Sequence, residues 1–178
     1  MQNEINIEYF KTPFGELVLG EYEKSLCVCD WLFRKMRESF DRRIQTALKA
    51  DYVENRSSII EETKRQLNQY LNQDRSSFDI PLRLIGTEFQ KKVWCALLKI
   101  PYGKTMTYSA LSKQLGDVKA IRAVATANGA NAISIIIPCH RIIGSDGSMV
   151  GYAGGSDVKK RLLQLEKALP ENQLSLFK

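Results

Sequence analysis

The sequence predicts an α+β chain, and three observations carry that reading. Short segments with a two-residue apolar alternation crowd the first thirty residues, with helical patterns after them. Near Gly86 the pattern changes to short capped helices separated by glycine-containing turns. Charge is also uneven. Residues 1–86 hold 13 Lys+Arg and 14 Asp+Glu, a net −1, whereas residues 87–178 hold 13 and 6, a net +7. These changes divide the chain into a near-neutral N-terminal α/β domain, 1–86, and a basic, mostly helical domain, 87–178.

Along the first part, Ile5, Ile7 and Tyr9 alternate with polar neighbours, which suits a half-buried strand. Thr12-Pro13-Phe14-Gly15 reads as a turn, residues 17–20 as a second strand and residues 25–31, with Cys27 and Cys29, as a third. Residues 34–49 read as a charged, irregularly amphipathic helix. Residues 58–72 give a clearer one, with Ser58 and Glu61 as a capping box and Ile60, Leu67, Tyr70 and Leu71 on one face. Residues 74–84 read as a linker that Pro81 keeps from being helical.

In the second part Thr87 and Gln90 form another capping box ahead of Phe89, Val93, Ala96, Leu97 and Ile100, and Pro101-Tyr102-Gly103 ends that helix. Thr107 caps a short helix reaching residue 115. Gly116-Asp117-Val118 turns the chain, and residues 119–128 form another short helix closed by Gly129. Two short helices about a glycine turn, in the basic half, read as a helix-turn-helix. The apolar run 133–137, interrupted only by Ser134, reads as a buried strand leading into Pro138-Cys139-His140-Arg141. Gly144-Ser145-Asp146-Gly147 is a hairpin-type turn, residues 151–155 a loop, and Ser156 caps a last helix running to about residue 169.

Composition excludes several classes. No apolar stretch is long enough to span a bilayer, and the N-terminus lacks a signal-peptide pattern, so an intracellular, cytoplasmic protein without a membrane partner is expected. Cys27, Cys29, Cys95 and Cys139 match no disulfide framework. With no Cys-x-x-Cys pair and a single histidine, no metal site is expected.

The chemistry centres on Cys139, beside the only histidine, His140. A free thiol has a pKa of roughly 8.5, so a nearby imidazole is the natural acceptor for its proton. Neighbours on an extended strand point to opposite sides. The pair can cooperate only where the chain turns helical, which Pro138 makes plausible. For a bare Cys-His dipeptide, a structural cysteine beside a surface histidine is the more ordinary reading. Glu166 follows Leu162 by four residues on the flank of an apolar face formed by Val158, Leu162, Leu165 and Leu169. It needs a partner: His140, giving a Cys–His–Glu relay, or an exposed pairing with Lys159, Lys160 or Lys167. The small-residue helix around Arg122 suits close approach to a groove or packing against a neighbour, and spacing alone does not decide between them.

Together these motifs resemble the O6-alkylguanine-DNA alkyltransferases over residues 87–169. The match runs through Phe89-Gln90-x-x-Val93-Trp94, Ile100-Pro101-Tyr102-Gly103-x-Thr105, Thr107-Tyr108-Ser109-x-Leu111, Ala120-Ile121-Arg122-Ala123-Val124, Asn131, Pro138-Cys139-His140-Arg141, Gly151-Tyr152-x-Gly154-Gly155 and Glu166. The resemblance implies a small ribonuclease-H-like sheet with helices in the first domain and a winged helix-turn-helix-like second domain. It implies direct, irreversible transfer of an alkyl group from O6-alkylguanine, and O4-alkylthymine, in double-stranded DNA to Cys139. No cofactor is required, and the protein is expected to be a monomer. His140, through a water and backed by Glu166, would accept the thiol proton, and Tyr108 would donate to the departing base. Arg122 would fill the vacated stack, while Ala120, Ile121, Ala123 and Ala125 would meet DNA. Asn131 would be the hinge. The backbone at Cys139, Ile142 and Ala153 would read the base edge, and Tyr152 would wall the pocket. Ser134 stands where some members carry a proline. The rival reading is a non-catalytic winged-helix DNA-binding protein, which leaves the Pro-Cys-His-Arg run and Glu166 without a purpose.

Overall fold

The computed structural model describes residues 3–169. Strands β1 (Asn3–Thr12), β2 (Gly15–Tyr22) and β3 (Ser25–Trp31) form an antiparallel meander. The first turn is tight. Thr12 Oγ1 donates to the Gly15 carbonyl (2.7 Å) and accepts from Phe14 N (3.1 Å), while Gly15 takes φ 133°, a conformation that favours glycine. Ile5 and Ile7 are buried as the alternation predicts, whereas Tyr9 lies 45% exposed.

Helix α1 (Arg37–Leu48) begins three residues later than the sequence pattern indicates, because the Arg34 side chain is drawn inward and buried from a turn whose other residues are exposed. Lys49 then takes a left-handed conformation and the chain enters β4 (Ala50–Glu54), a strand the sequence reading did not contain. It adds parallel to β1, giving the sheet order β3-β2-β1-β4. Helix α2 (Ser58–Leu71) is capped by Ser57 rather than Ser58. The Ser57 hydroxyl accepts from Ile59 N (3.2 Å) and Ile60 N (3.5 Å), and Glu61 pairs with Lys64 instead.

In the second half α3 (Glu88–Leu97) starts with the expected Thr87–Gln90 capping box, and α4 (Tyr108–Gln114) with the Thr107 cap. Helix α5 (Ile121–Gly129) includes Gly129 as its last residue, without a positive φ, so the expected glycine stop is corrected. Two-residue strands β5 (Met106–Thr107) and β6 (Ile142–Ile143) pair in parallel. Helix α6 (Gly155–Leu165) has Gly154, not Ser156, at its N-cap. It stops four residues before Leu169, because Lys167 adopts φ 53°.

Residues 133–137 are not a strand. All five are buried, only Ile133 bridges to Cys29, and Ile135 sits at φ 71° within a turn closed from Ile137 N to the Ile133 carbonyl (3.0 Å). This segment is enclosed on every side, so its apolar run reflects burial and not a ladder.

Both halves contribute to one apolar cluster. Leu17, Leu19, Trp31, Leu67 and Tyr70 pack with Trp94, Leu97, Leu111, Ile133, Ile137 and Leu162. Among the described residues no helix is long and apolar enough to cross a membrane.

Candidate active site

Pro138 ends the buried turn, and Cys139–Arg141 form one turn of 3-10 helix. Successive side chains on such a turn project about 120° apart rather than on opposite sides. The helical condition that cooperation between Cys139 and His140 requires is therefore met. Both residues are buried, at 2% and 0% exposure.

Cys139 Sγ accepts a hydrogen bond from Asn131 Nδ2 (3.2 Å). The same amide donates to the Ile137 and Ile133 carbonyls (3.0 and 3.3 Å), and Asn131 Oδ1 accepts from Ile133 N (2.9 Å). Asn128 Nδ2 reaches the Cys139 carbonyl at 3.4 Å. Burial pushes the Cys139 thiol up, while the Asn131 amide, Arg34 and Lys159 pull it down; the net direction is upward, so the resting group is a thiol.

His140 Nε2 meets Glu166 Oε1 at 2.8 Å. Burial pulls His140 below the ordinary imidazole value, against the raising effect of Glu166. A neutral imidazole with its Nε2 proton directed at the carboxylate leaves Nδ1 as a base. Nδ1 is buried and has no protein hydrogen-bond partner among the described residues.

Glu166, at the C-cap of α6, collects more donors than the relay alone requires. Tyr70 Oη donates to Oε1 (2.6 Å), Arg141 Nε to Oε2 (2.9 Å), Arg141 Nη2 to Oε1 (3.0 Å) and Gly103 N to Oε2 (3.2 Å). Burial alone would raise this carboxyl, but donation by His140 and Arg141 outweighs it and holds the group at about 2. The alternative pairing with lysine is not what the structure contains. Lys159 is fully buried and donates to the Val150 carbonyl (3.1 Å), and burial lowers its ammonium to about 8.

Tyr108, at the start of α4, reaches the same Val150 carbonyl at 3.4 Å, and burial pushes its phenol up. Tyr152 is buried, stands edge-on to His140 at 6.3 Å between ring centroids, and accepts from Trp31 Nε1 (3.0 Å). A cavity of about 580 Å³ lies between residues 150–156 and Phe33, Arg34 and Lys35. Gly154 closes the loop onto Trp31: a Cβ there would lie 2.7 Å from Trp31 Nε1.

The family profile described as "6-O-methylguanine DNA methyltransferase, DNA binding domain" matches residues 88–168, and that described as its "ribonuclease-like domain" matches residues 5–84. The chain belongs to this methyltransferase family. A methylated-DNA–protein-cysteine methyltransferase of Methanosarcina barkeri is 44% identical over 160 residues, covering 90% of this chain and 96% of that protein. Among solved structures, the O6-methylguanine methyltransferase of Mycobacterium tuberculosis superposes with a TM-score of 0.78 at 36% identity, covering 98% of this chain and 99% of that one. The same organism's OGT in complex with DNA gives 0.77 at 36% identity and the same coverage. The α+β class, with a small sheet first and helices after it, is that of these methyltransferases.

Within this family framework the structure brings Cys139, His140, Glu166 and Asn131 into one connected cluster, with Tyr152 against its imidazole. Tyr108 borders it through Val150. Ile142 is fully buried just after the Cys139–Arg141 turn, and Ala153 is half-buried in the loop. Of α5, Asn128 near its C-terminal end joins the cluster through the Cys139 carbonyl. Ile121, Arg122 and Ala123 are exposed, and Ala120 and Ala125 are half-buried. Sequence reasoning missed Tyr70, Arg141 as a ligand of Glu166, Asn128, Trp31 and Lys159. Tyr70 carried a signal, since a tyrosine on an apolar helix face needs a partner for its hydroxyl.

Proposed function

We propose that this chain repairs DNA as a methylated-DNA–protein-cysteine methyltransferase, transferring an alkyl group from O6 of guanine, and from O4 of thymine, irreversibly to Cys139. The observation that carries this reading is the buried pair on one 3-10 turn: a thiol held by Asn131, and an imidazole kept neutral with Glu166 on its far nitrogen. The Cys139 sulfur attacks the alkyl carbon, and the S–C bond forms as the C–O6 bond breaks. The thiol proton passes to His140 through a water, and Glu166 stabilises the resulting imidazolium. Tyr108, whose phenol keeps its proton at neutral pH, donates to N3 of the departing guanine.

Residues 87–178 form the DNA-binding and transfer domain, with residues 1–86 as its support. The exposed Ile121-Arg122-Ala123 stretch enters the minor groove of double-stranded DNA, with Ala120 and Ala125 at its margins. Arg122 takes the place of the flipped nucleotide. The Cys139 and Ile142 carbonyls and Ala153 N–H read the base edge, and Tyr152 walls the pocket. The protein acts as a monomer, once per molecule, because displacing the alkyl group from S-alkylated Cys139 would have to expel a thiolate, a poor leaving group. Incubation with duplex DNA bearing O6-methylguanine should add one methyl to the Cys139 peptide, read by mass spectrometry. Binding to that DNA with no mass gain would favour the non-catalytic reading.

A further inference from the structure

The first half of the chain reaches the surroundings of Cys139 through a buried ion pair. Asp30, in β3, is fully buried, and Arg34, in the turn that follows, is 7% exposed. Arg34 Nε lies 2.7 Å from Asp30 Oδ2. Its two terminal nitrogens donate to the Gly129 carbonyl (3.1 Å) and the Asn131 carbonyl (3.0 Å). Asp30 Oδ1 accepts from Ser134 Oγ (3.0 Å), and Arg37 Nη1 also reaches Oδ2 (3.1 Å). The pair therefore grips both ends of residues 129–134. Between those grips lies Asn131, whose amide donates to Cys139 Sγ.

A buried ion pair that only joined two parts of a protein could be replaced by apolar residues at little cost. An apolar pair could not fix two carbonyls on either side of a hydrogen-bonding residue. A planar guanidinium fork does this, because its donors have fixed relative directions. We propose that Asp30 and Arg34 are positioning residues for the nucleophile: the Arg34 fork fixes the backbone at Asn131 so that its amide stays aimed at the Cys139 sulfur. The charge of the guanidinium also favours the Cys139 thiolate as it forms. Lys159 of α6 acts in the same sense, and Asp30 in the opposite one. Cys29 of β3, Tyr108 of α4 and Tyr152 of the loop also interact electrostatically with Cys139, and His140 adjoins it on the same turn.

The inference rests on Cys139 as the nucleophile, and its test is separable from that reading. The rate of Cys139 modification by iodoacetamide is measured against pH, by peptide mass spectrometry, below each variant's melting temperature. Transfer from free O6-benzylguanine is followed alongside. Arg34→Met should slow modification at neutral pH about tenfold and move the pH midpoint up by about one unit, the scale of one lost hydrogen bond to a charged group. Arg34→Lys should recover the midpoint but not the rate, because one ammonium cannot span both carbonyls. Lys11→Met, at an exposed lysine of β1, should change neither. Should Arg34→Met fail to fold, Asp30→Asn/Arg34→Met removes both charges together and should show the same slow modification, with a smaller shift of the midpoint because the opposing effect of Asp30 is removed as well. A folded Arg34→Met or double variant with the parent's rate and midpoint would overturn the proposal. If the parent reacts with iodoacetamide but never takes an alkyl group from alkylguanine, the repair reading fails while the positioning result stands.

Discussion

Glu166→Gln is the substitution whose consequences the structure fixes most closely. The carboxylate accepts from Tyr70, His140, both the Nε and Nη2 of Arg141, and Gly103 N. Glutamine keeps the shape but offers one acceptor oxygen, turns an NH2 toward one set of donors, and leaves Arg141 buried without its counter-charge. Breaking a buried pair from one side costs about 3–5 kcal/mol. Linkage gives a similar figure: a carboxyl moved from 4.5 to about 2 contributes about 3 kcal/mol at neutral pH. For a chain of this size that corresponds to a melting temperature about 10 °C lower. The pH dependence has a definite sign. A depressed folded pKa gives stability that is complete above 4.5 and lost as pH falls toward about 2. The gap between parent and variant should therefore be widest at pH 7, begin to narrow below 4.5, and close as the parent's own carboxyl protonates. Urea unfolding of both proteins over a pH series, followed by circular dichroism, measures this. A gap below about 1 kcal/mol at pH 7, or one as wide at pH 3 as at pH 7, would refute the account of Glu166 as the buried charge centre.

Cys139→Ala should abolish transfer yet bind duplex DNA with a steep salt dependence, since counterion release does not involve the sulfur; a flat salt response in a binding titration would count against the groove contact. Tyr108→Phe should slow transfer even from free O6-benzylguanine, whereas Arg122→Ala should impair duplex substrates and spare the free base; equal losses on both substrates would remove the finger assignment. Complete methylation should lower the melting temperature by several degrees, because a methyl on a sulfur already in contact with the Asn131 amide overpacks the site by about 1–3 kcal/mol; an unchanged melting curve would rule this out.

Much of the fold was legible where the determinants are local. The Thr87 box and the Thr107 cap lie within three residues of the amides they satisfy, and both appear where the sequence places them. Strand β4 was not legible, because only Ala50 of its five residues is buried and its pairing with β1 lies some 47 residues back, at Asn3. The run 133–137 misled because complete burial removes the alternation that separates strand from turn, and Ile135 takes a backbone conformation that β-branched residues rarely adopt. Within the site, Cys139, His140 and Glu166 were marked by a dense local motif. Tyr70 and Asp30 reach it from 96 and 104 residues away in sequence, and no spacing rule connects such partners.

Two aromatic hydrogen bonds bear on how this protein can be recombined with its relatives. The Trp31 indole donates to the Tyr152 hydroxyl, and the Tyr70 hydroxyl donates to Glu166; in both cases the donor lies in the first eighty-six residues and the acceptor in the second half of the chain. A chimera joining residues 87–178 to a relative's first half would keep Cys139, His140 and Glu166. It would still lose these two attachments unless the donor half carried an indole and a phenol in the same places. Exchangeability thus depends on what the first half supplies, these two ring donors together with the Asp30–Arg34 pair, as much as on Cys139, His140 and Glu166 themselves.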